Sequence, residues 1–330
     1  MDVIKNRHLT SKIRTALDYI PGGVGIYALY WRMRAALEAL RSYQPVHEVL
    51  PEFKSGIEPT LEQPTSQLCT AGQCMSPAYY RWCKEMRSPA RFSRKQWEFA
   101  YILEVLWQAG QMRTDKKGLG FGCGQEPLAA IFAKHGATVL ATDLAPEEAE
   151  QKGWVRTLQH SASLENLYKA SRNKISRKDF FSKVSFRSVD MNAIPDDLDS
   201  FDFVWSACAF EHLGSLRHGM EFIKNSSRLL KPGGIAVHTT EFNLSSNQET
   251  MEHPGCSVFR KQDMERLAEE LVHEGYVVEP FNFNCGNGLV DNHVDAPPYG
   301  MSPHLKLKLD QYVVTSIGII VRKPDNQGNL

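Results

Sequence analysis

Between Gly118 and Leu144 the chain reads GLGFGCGQEPLAAIFAKHGATVLATDL, a succession that few folds accommodate. Leu119 to Phe121 is a short apolar strand that runs into Gly120, Gly122 and Gly124. Glycine there lets the chain bend sharply and brings backbone N–H groups close to a ligand. Pro127 suits the first turn of a helix, where its missing N–H would lack a partner anyway, and Leu128, Ile131 and Phe132 give that helix an apolar face. Gly136 ends the helix. A second strand over residues 137–141 leads to Asp143, about 20 residues past the glycines, the distance at which an acid takes the hydroxyls of a ribose. Strand, glycine turn, helix, strand and acid together predict a nucleoside site. The dinucleotide fingerprint G-x-G-x-x-G would need glycine where this chain has Gln125, so the run is G-x-G-x-G instead.

Five more strands follow. Residues 184–189 form the third, ending in Asp190 and Met191. Phe201 to Ala207 is apolar except for Asp202 and Ser206, as a central parallel strand should be. The segment CAFEHL follows it, then a helix with Leu216, Met220, Ile223 and Leu230 on one face. Lys231, Pro232, Gly233 and Gly234 make a tight reversal into a fifth strand over residues 235–240. Residues 275–283 read as a sixth strand and residues 311–322 as a seventh, joined by a long insertion, GNGLVDNHVDAPPYGMSPH.

At 330 residues the chain can bury a full core. Residues 1–88 read as an extension and residues 89–330 as the main α/β domain. A helical stretch at residues 26–40 carries basic and aromatic residues and could pack on the domain, on a second subunit or on a membrane surface. Residues 66–98 are dense in polar and aromatic side chains, with Arg94 and Trp97 as the leading lid residues; a helix capping the sheet edge is the alternative. The next stretch, through Trp107, reads as a buried helix. The 38 basic and 38 acidic residues balance to zero net charge, which gives no support to a nucleic-acid partner. Seven cysteines without framework spacing predict reduced thiols and a cytoplasmic protein. No apolar run reaches the length of a membrane span.

The G-x-G-x-G run, the LLKPGG turn and the final hairpin resemble the class I methyltransferases, from Gly118 to Lys323. The resemblance implies a seven-stranded, mostly parallel sheet with an antiparallel last strand, a helical N-terminal lid, and S-adenosylmethionine as cofactor. It implies cofactor contacts at Gly120, Gly122, Gly124, Glu126, Asp143, Leu144, Asp190, Met191 and Ser206. Many relatives carry an acid where this chain has Gly120, and Glu126 or Glu98 would then take the methionine end. His212 and Glu241, at the ends of the fourth and fifth strands, are the implied catalytic bases, since imidazole titrates near neutrality and a carboxylate accepts a proton. Glu211 and His212 would otherwise shape the loop into the next helix. Asp291, His293 and Asp295 either bond locally, contact the acceptor or hold a metal; no metal is expected.

GFGCGQEPLAAIFA, FEHL, HTTEF and DNHVDAPPY are similar to segments of bacterial methyltransferases associated with glycans. That similarity implies O-methylation of a saccharide or other polar small molecule, in polysaccharide biosynthesis. N- or C-methylation of another metabolite, and a non-catalytic S-adenosylmethionine-binding scaffold, are the alternatives.

Overall fold

The parallel strands form where the apolar runs lie, and neighbouring side chains alternate between two helical layers. In the computed structural model, residues 49–151, 160–300 and 302–325 are described. The helical stretch at residues 26–40, with Trp154 and Gln159, lies outside them.

Six strands lead the chain: β1 (Ser66–Leu68), β2 (Lys117–Phe121), β3 (Thr138–Asp143), β4 (Val184–Ser188), β5 (Phe201–Ala207) and β6 (Leu230–Asn243). A small separate hairpin follows, β7 (Glu252–His253) and β8 (Cys256–Ser257). The C-terminal part supplies β9 (Val277–Val278), β10 (Phe281–Asn282), β11 (Val294–Asp295), β12 (Lys306–Leu309) and β13 (Tyr312–Arg322). The main sheet runs β10-β1-β13-β6-β5-β2-β3-β4, with β9, β11 and β12 attached beside this path. Strands β2 to β6 pair in parallel, while β13 runs antiparallel to β6. This is the class I methyltransferase core, with the antiparallel last strand that the sequence predicts.

Among the described residues the sheet has 11 strands rather than seven. The predicted sixth strand is broken in two, because Pro280 lacks the N–H a continuous ladder needs. Its first half, β9, pairs with β13, while its second half, β10, pairs with β1. Strand β1 itself comes from the N-terminal extension and lies antiparallel on β13.

Alternation along β5 sets the two layers. Phe203 and Trp205 face one core with Trp97, Tyr101 and Phe132, and Val204 faces the other with Phe121, Phe210 and Phe222. Gly120, paired with Trp205 across the strands, clears the way for that ring: a Cβ there would come within 2.3 Å of Trp205 and 2.5 Å of the Cys123 sulfur. The helix Arg94–Gln108 lies across β5, β6 and β13. Its Trp97 stacks on Tyr101 at 4.9 Å and is fully buried, so this ring is core packing and not a lid. Trp107, expected inside, is 45% exposed and packs edge-on against Trp82 and His135.

Candidate active site

Two cavities meet at the carboxyl ends of β2, β3, β5 and β6, where open α/β sheets receive ligands. Gly122, Cys208 and His212 line both, so the two are halves of one cleft.

The first half lies between the glycine turn and the end of β4. Asp143, Leu144, Asp190 and Met191 line it, as the sequence predicts, with His160 from the following segment. Gly122 shapes its floor. It holds φ +58°, and a Cβ would approach Ala209 to 2.8 Å and the Met191 sulfur to 3.4 Å. The Asp143 carboxylate organises the walls: Oδ2 accepts the amides of Gly124 at 3.0 Å and Ser161 at 2.9 Å, and Oδ1 accepts that of Leu144 at 2.8 Å. Burial pushes its pKa up, against those amides and His160. His160 in turn bonds the Leu144 carbonyl at 2.8 Å. Asp190 accepts the Asn192 amide at 2.9 Å, which turns the chain beside Met191. A thioether flanked by carboxylates suits a purine, whose face packs on sulfur and whose amine donates.

The second half is larger, about 550 Å3, and several charged side chains line it. Arg94 and Lys95 enter it from the first turn of their helix, Glu126 from the glycine turn, Glu211 and His212 from the turn after β5, and Glu241 from β6. Arg94 forms a close ion pair with Glu241, and its Nη1 reaches Glu98 at 3.3 Å and the Cys208 sulfur at 3.4 Å. Cys208, Glu211 and Glu241 bring their ligand-type atoms within 4.8 Å of one another, but the cation among them is the Arg94 guanidinium. Lys95 donates to the Ala207 carbonyl at 2.9 Å and pairs with Glu98 at 3.1 Å. Burial alone would raise the pKa of Glu98, yet Lys95, Arg94 and Ser316 hold it below the ordinary value. Glu98 is therefore already compensated.

Glu126 has no such cation bonded to it. Burial pushes its pKa up to about 8, against the Trp205 indole N–H, which donates to it at 2.7 Å. Glu211 is fully buried; Thr240 donates to its Oε2 at 3.1 Å, while Oε1 lacks a hydrogen-bond partner among the described residues. Burial raises its pKa, with His212 opposing and Glu241 adding. The Nδ1 of His212 lies 2.6 Å from the Gly255 carbonyl. A carbonyl only accepts, so Nδ1 carries the proton and Nε2 is the basic nitrogen of the neutral ring. The backbone before it is unusual: Cys208 holds φ +53°, which non-glycine residues adopt only under constraint.

Two predicted contacts stand outside the cleft. Gly120 faces Trp205 in the core. Ser206 is fully buried and bonds His238 Nδ1 at 2.8 Å, and burial drops the pKa of that histidine to about 3, keeping the ring neutral. Sequence reasoning also missed His304, which lines the second cavity from the far end of the hairpin insertion. Of the three polar residues proposed in that insertion, Asp291 accepts the Ala71 amide at 2.7 Å and Asp295 pairs with His304, so they do not converge on one point.

Residues 119–238 match the family model described as a methyltransferase domain. No curated protein matches the chain. Solved structures similar to it include a candidate sarcosine dimethylglycine methyltransferase from Galdieria sulphuraria, 15% identical with a TM-score of 0.44 over 70% of this chain and 85% of that one. An S-adenosylmethionine-dependent methyltransferase from Clostridium acetobutylicum is 15% identical, with a TM-score of 0.41 over 74% and 97% of the two chains. A magnesium protoporphyrin IX methyltransferase from Synechocystis is 11% identical, with a TM-score of 0.42 over 75% and 95%. The matched segment carries the glycine turn, β2 to β5 and the start of the acceptor side, and the chain contains a class I methyltransferase domain. It is an enzyme domain whose cofactor is S-adenosylmethionine.

Proposed function

We propose that the protein transfers a methyl group from S-adenosylmethionine to a hydroxyl of a saccharide or similarly polar small molecule. The observation that carries this reading is the second half of the cleft: a cavity walled by charged and hydrogen-bonding side chains, with Phe99 as its large apolar contributor. An apolar acceptor would leave Glu211 Oε1, which lacks a hydrogen-bond partner among the described residues, unsatisfied at a cost of about 1–3 kcal/mol. A polyol presents hydroxyls that both donate and accept.

The cofactor's sulfonium supplies an already activated methyl group, so the chain's task is chiefly alignment. Gly122 and Met191 would seat the adenine, and Asp190 would accept from its amine. Asp143, with its amide-bound oxygens, would fix the ribose end. Lys95 carries the charge suited to a carboxylate at the methionine end, and Glu126, which holds its proton near neutral pH, would ionise on meeting an ammonium there. Glu211, which lines the same cavity and whose buried Oε1 lacks a hydrogen-bond partner among the described residues, would accept from an acceptor hydroxyl. Holding the nucleophile in line with the departing sulfur provides most of the acceleration in such a reaction.

The test is methyl transfer from radiolabelled S-adenosylmethionine to a panel of methyl glycosides and nucleoside diphosphate sugars, with amines and catechols as comparison acceptors. Labelling of a sugar hydroxyl supports the reading. Labelling of amines alone would replace it with N-methylation, and binding of S-adenosylhomocysteine with no transfer would favour a scaffold. The seven cysteines are all unpaired thiols, which fits a cytoplasmic site of action. No helix among the described residues is long and apolar enough to cross a membrane.

A further inference from the structure

We propose that His304 is the general base of the reaction and that Asp295 is its positioning residue, a pair delivered to the cleft by the C-terminal hairpin insertion. The inference rests on the reading of the cleft as a hydroxyl methyltransferase site.

His304 Nδ1 lies 2.6 Å from Asp295 Oδ2. A carboxylate accepts, so Nδ1 bears the proton and Nε2 is the basic nitrogen of a ring that lines the acceptor cavity. The geometry is held on every side. The Gly300 amide donates to both Asp295 oxygens, at 3.1 and 2.9 Å, and fixes the carboxylate. The His304 amide donates to the Phe92 carbonyl at 2.7 Å, and its carbonyl accepts the Arg94 amide at 2.9 Å. These bonds tie the insertion to the start of the helix that carries Arg94 and Lys95. Tyr299 packs edge-on against the imidazole at 5.8 Å. A base whose far nitrogen is oriented by a buried carboxylate is the arrangement that nucleophile activation requires.

His212 differs in this respect. Its Nδ1 proton goes to a neutral carbonyl and the nearby carboxylate, Glu211, lies 3.9 Å from Nε2, the nitrogen a base must leave free, whereas at His304 the carboxylate is on the far nitrogen. Glu241 is engaged by Arg94. In the proposed step the acceptor O–CH3 bond forms as the S–CH3 bond breaks and sulfur keeps its electron pair. The hydroxyl proton passes to His304 Nε2, and Asp295 balances the new charge. The other charged and titratable groups facing the same space are Arg94, Lys95, Glu126, Glu211, His212 and Glu241.

The experiment uses the glycoside or nucleoside diphosphate sugar that the unaltered protein methylates fastest. We expect His304→Gln to lower kcat by about 100-fold while S-adenosylhomocysteine affinity stays within about threefold. Asp295→Asn is expected to lower kcat by about tenfold and shift the pH–kcat profile, with Asp295→Glu restoring part of the rate. A His304→Gln variant of unchanged kcat, or an Asp295→Asn variant of unchanged pH profile, would overturn the proposal. If no sugar is methylated, the acceptor reading fails and the pair is judged alone, on the S-adenosylhomocysteine complex treated with diethyl pyrocarbonate. Mass spectrometry should then find His304 modified, at a rate that changes in Asp295→Asn. An unmodified His304 sinks the pair.

Discussion

The carboxylate of Asp143 accepts the backbone amide of Gly124 at 3.0 Å, so the acid at the end of β3 grips the glycine turn at the end of β2. The acid therefore shapes the cleft before any ligand arrives. Replacing it leaves three backbone amides without their acceptor and removes the proposed ribose contact at once. We expect Asp143→Ala to weaken S-adenosylhomocysteine binding by about tenfold or more, equivalent to about 1.4 kcal/mol or greater, in calorimetry. Unchanged affinity would mean the nucleoside lies elsewhere.

Glu126 predicts a pH dependence of stability. Its pKa is near 8 in the folded chain against an ordinary value of 4.5. Below the ordinary value both states hold the proton. Between the two values the unfolded chain has lost it and the folded chain keeps it, so stability falls as pH rises through this window, by about 1 kcal/mol per unit for this group. Glu126→Gln should flatten the slope between pH 4.5 and 8 in denaturant melts. An identical slope in the variant would show that the carboxyl ionises as readily in the folded chain as in water.

Gly120 serves packing, and its substitution should reveal that. The methyl of Gly120→Ala would press on Trp205 and Cys123 in the core, at a cost of about 1–3 kcal/mol. Thermal melting should drop while S-adenosylhomocysteine affinity of the folded fraction barely moves. A selective loss of affinity at unchanged stability would return Gly120 to the cofactor site.

His212 lines both halves of the cleft and anchors the hairpin at Gly255, whose neighbour Cys256 touches Glu241. We expect His212→Ala to lower kcat by about tenfold with a smaller loss of cofactor affinity, and to retain the acid limb of the pH–rate profile that His304→Gln loses. Were the limb lost in the His212 variant instead, the base would be His212.

Much of the fold was legible because its parallel strands obey local rules. Phe201–Ala207 is found over the predicted residues, since an apolar run bounded by polar turns has one sensible role. Asp143, Asp190 and Met191 were legible too, because strand ends in this architecture project into the cleft. Ser206 misled for the same reason: it sits one position before the end of β5, where alternation turns it to His238. The edge beyond β13 was hidden, as its strands are two or three residues long and pair with partners remote in sequence. His304 was hidden as well. No periodicity links it to Asp295, and only the density of polar residues in the insertion hinted at a site.

The placement of β1 between β13 and β10 bears on how the molecule is made. The Ser66 hydroxyl accepts the amide of Ile320, 254 residues away, so this edge of the sheet cannot close until β13 has left the ribosome. Until then the segment around Ser66 waits without one of its two strand partners. A nascent chain stalled before β13 would expose the flank of β6, and that intermediate is where a chaperone would have most to protect.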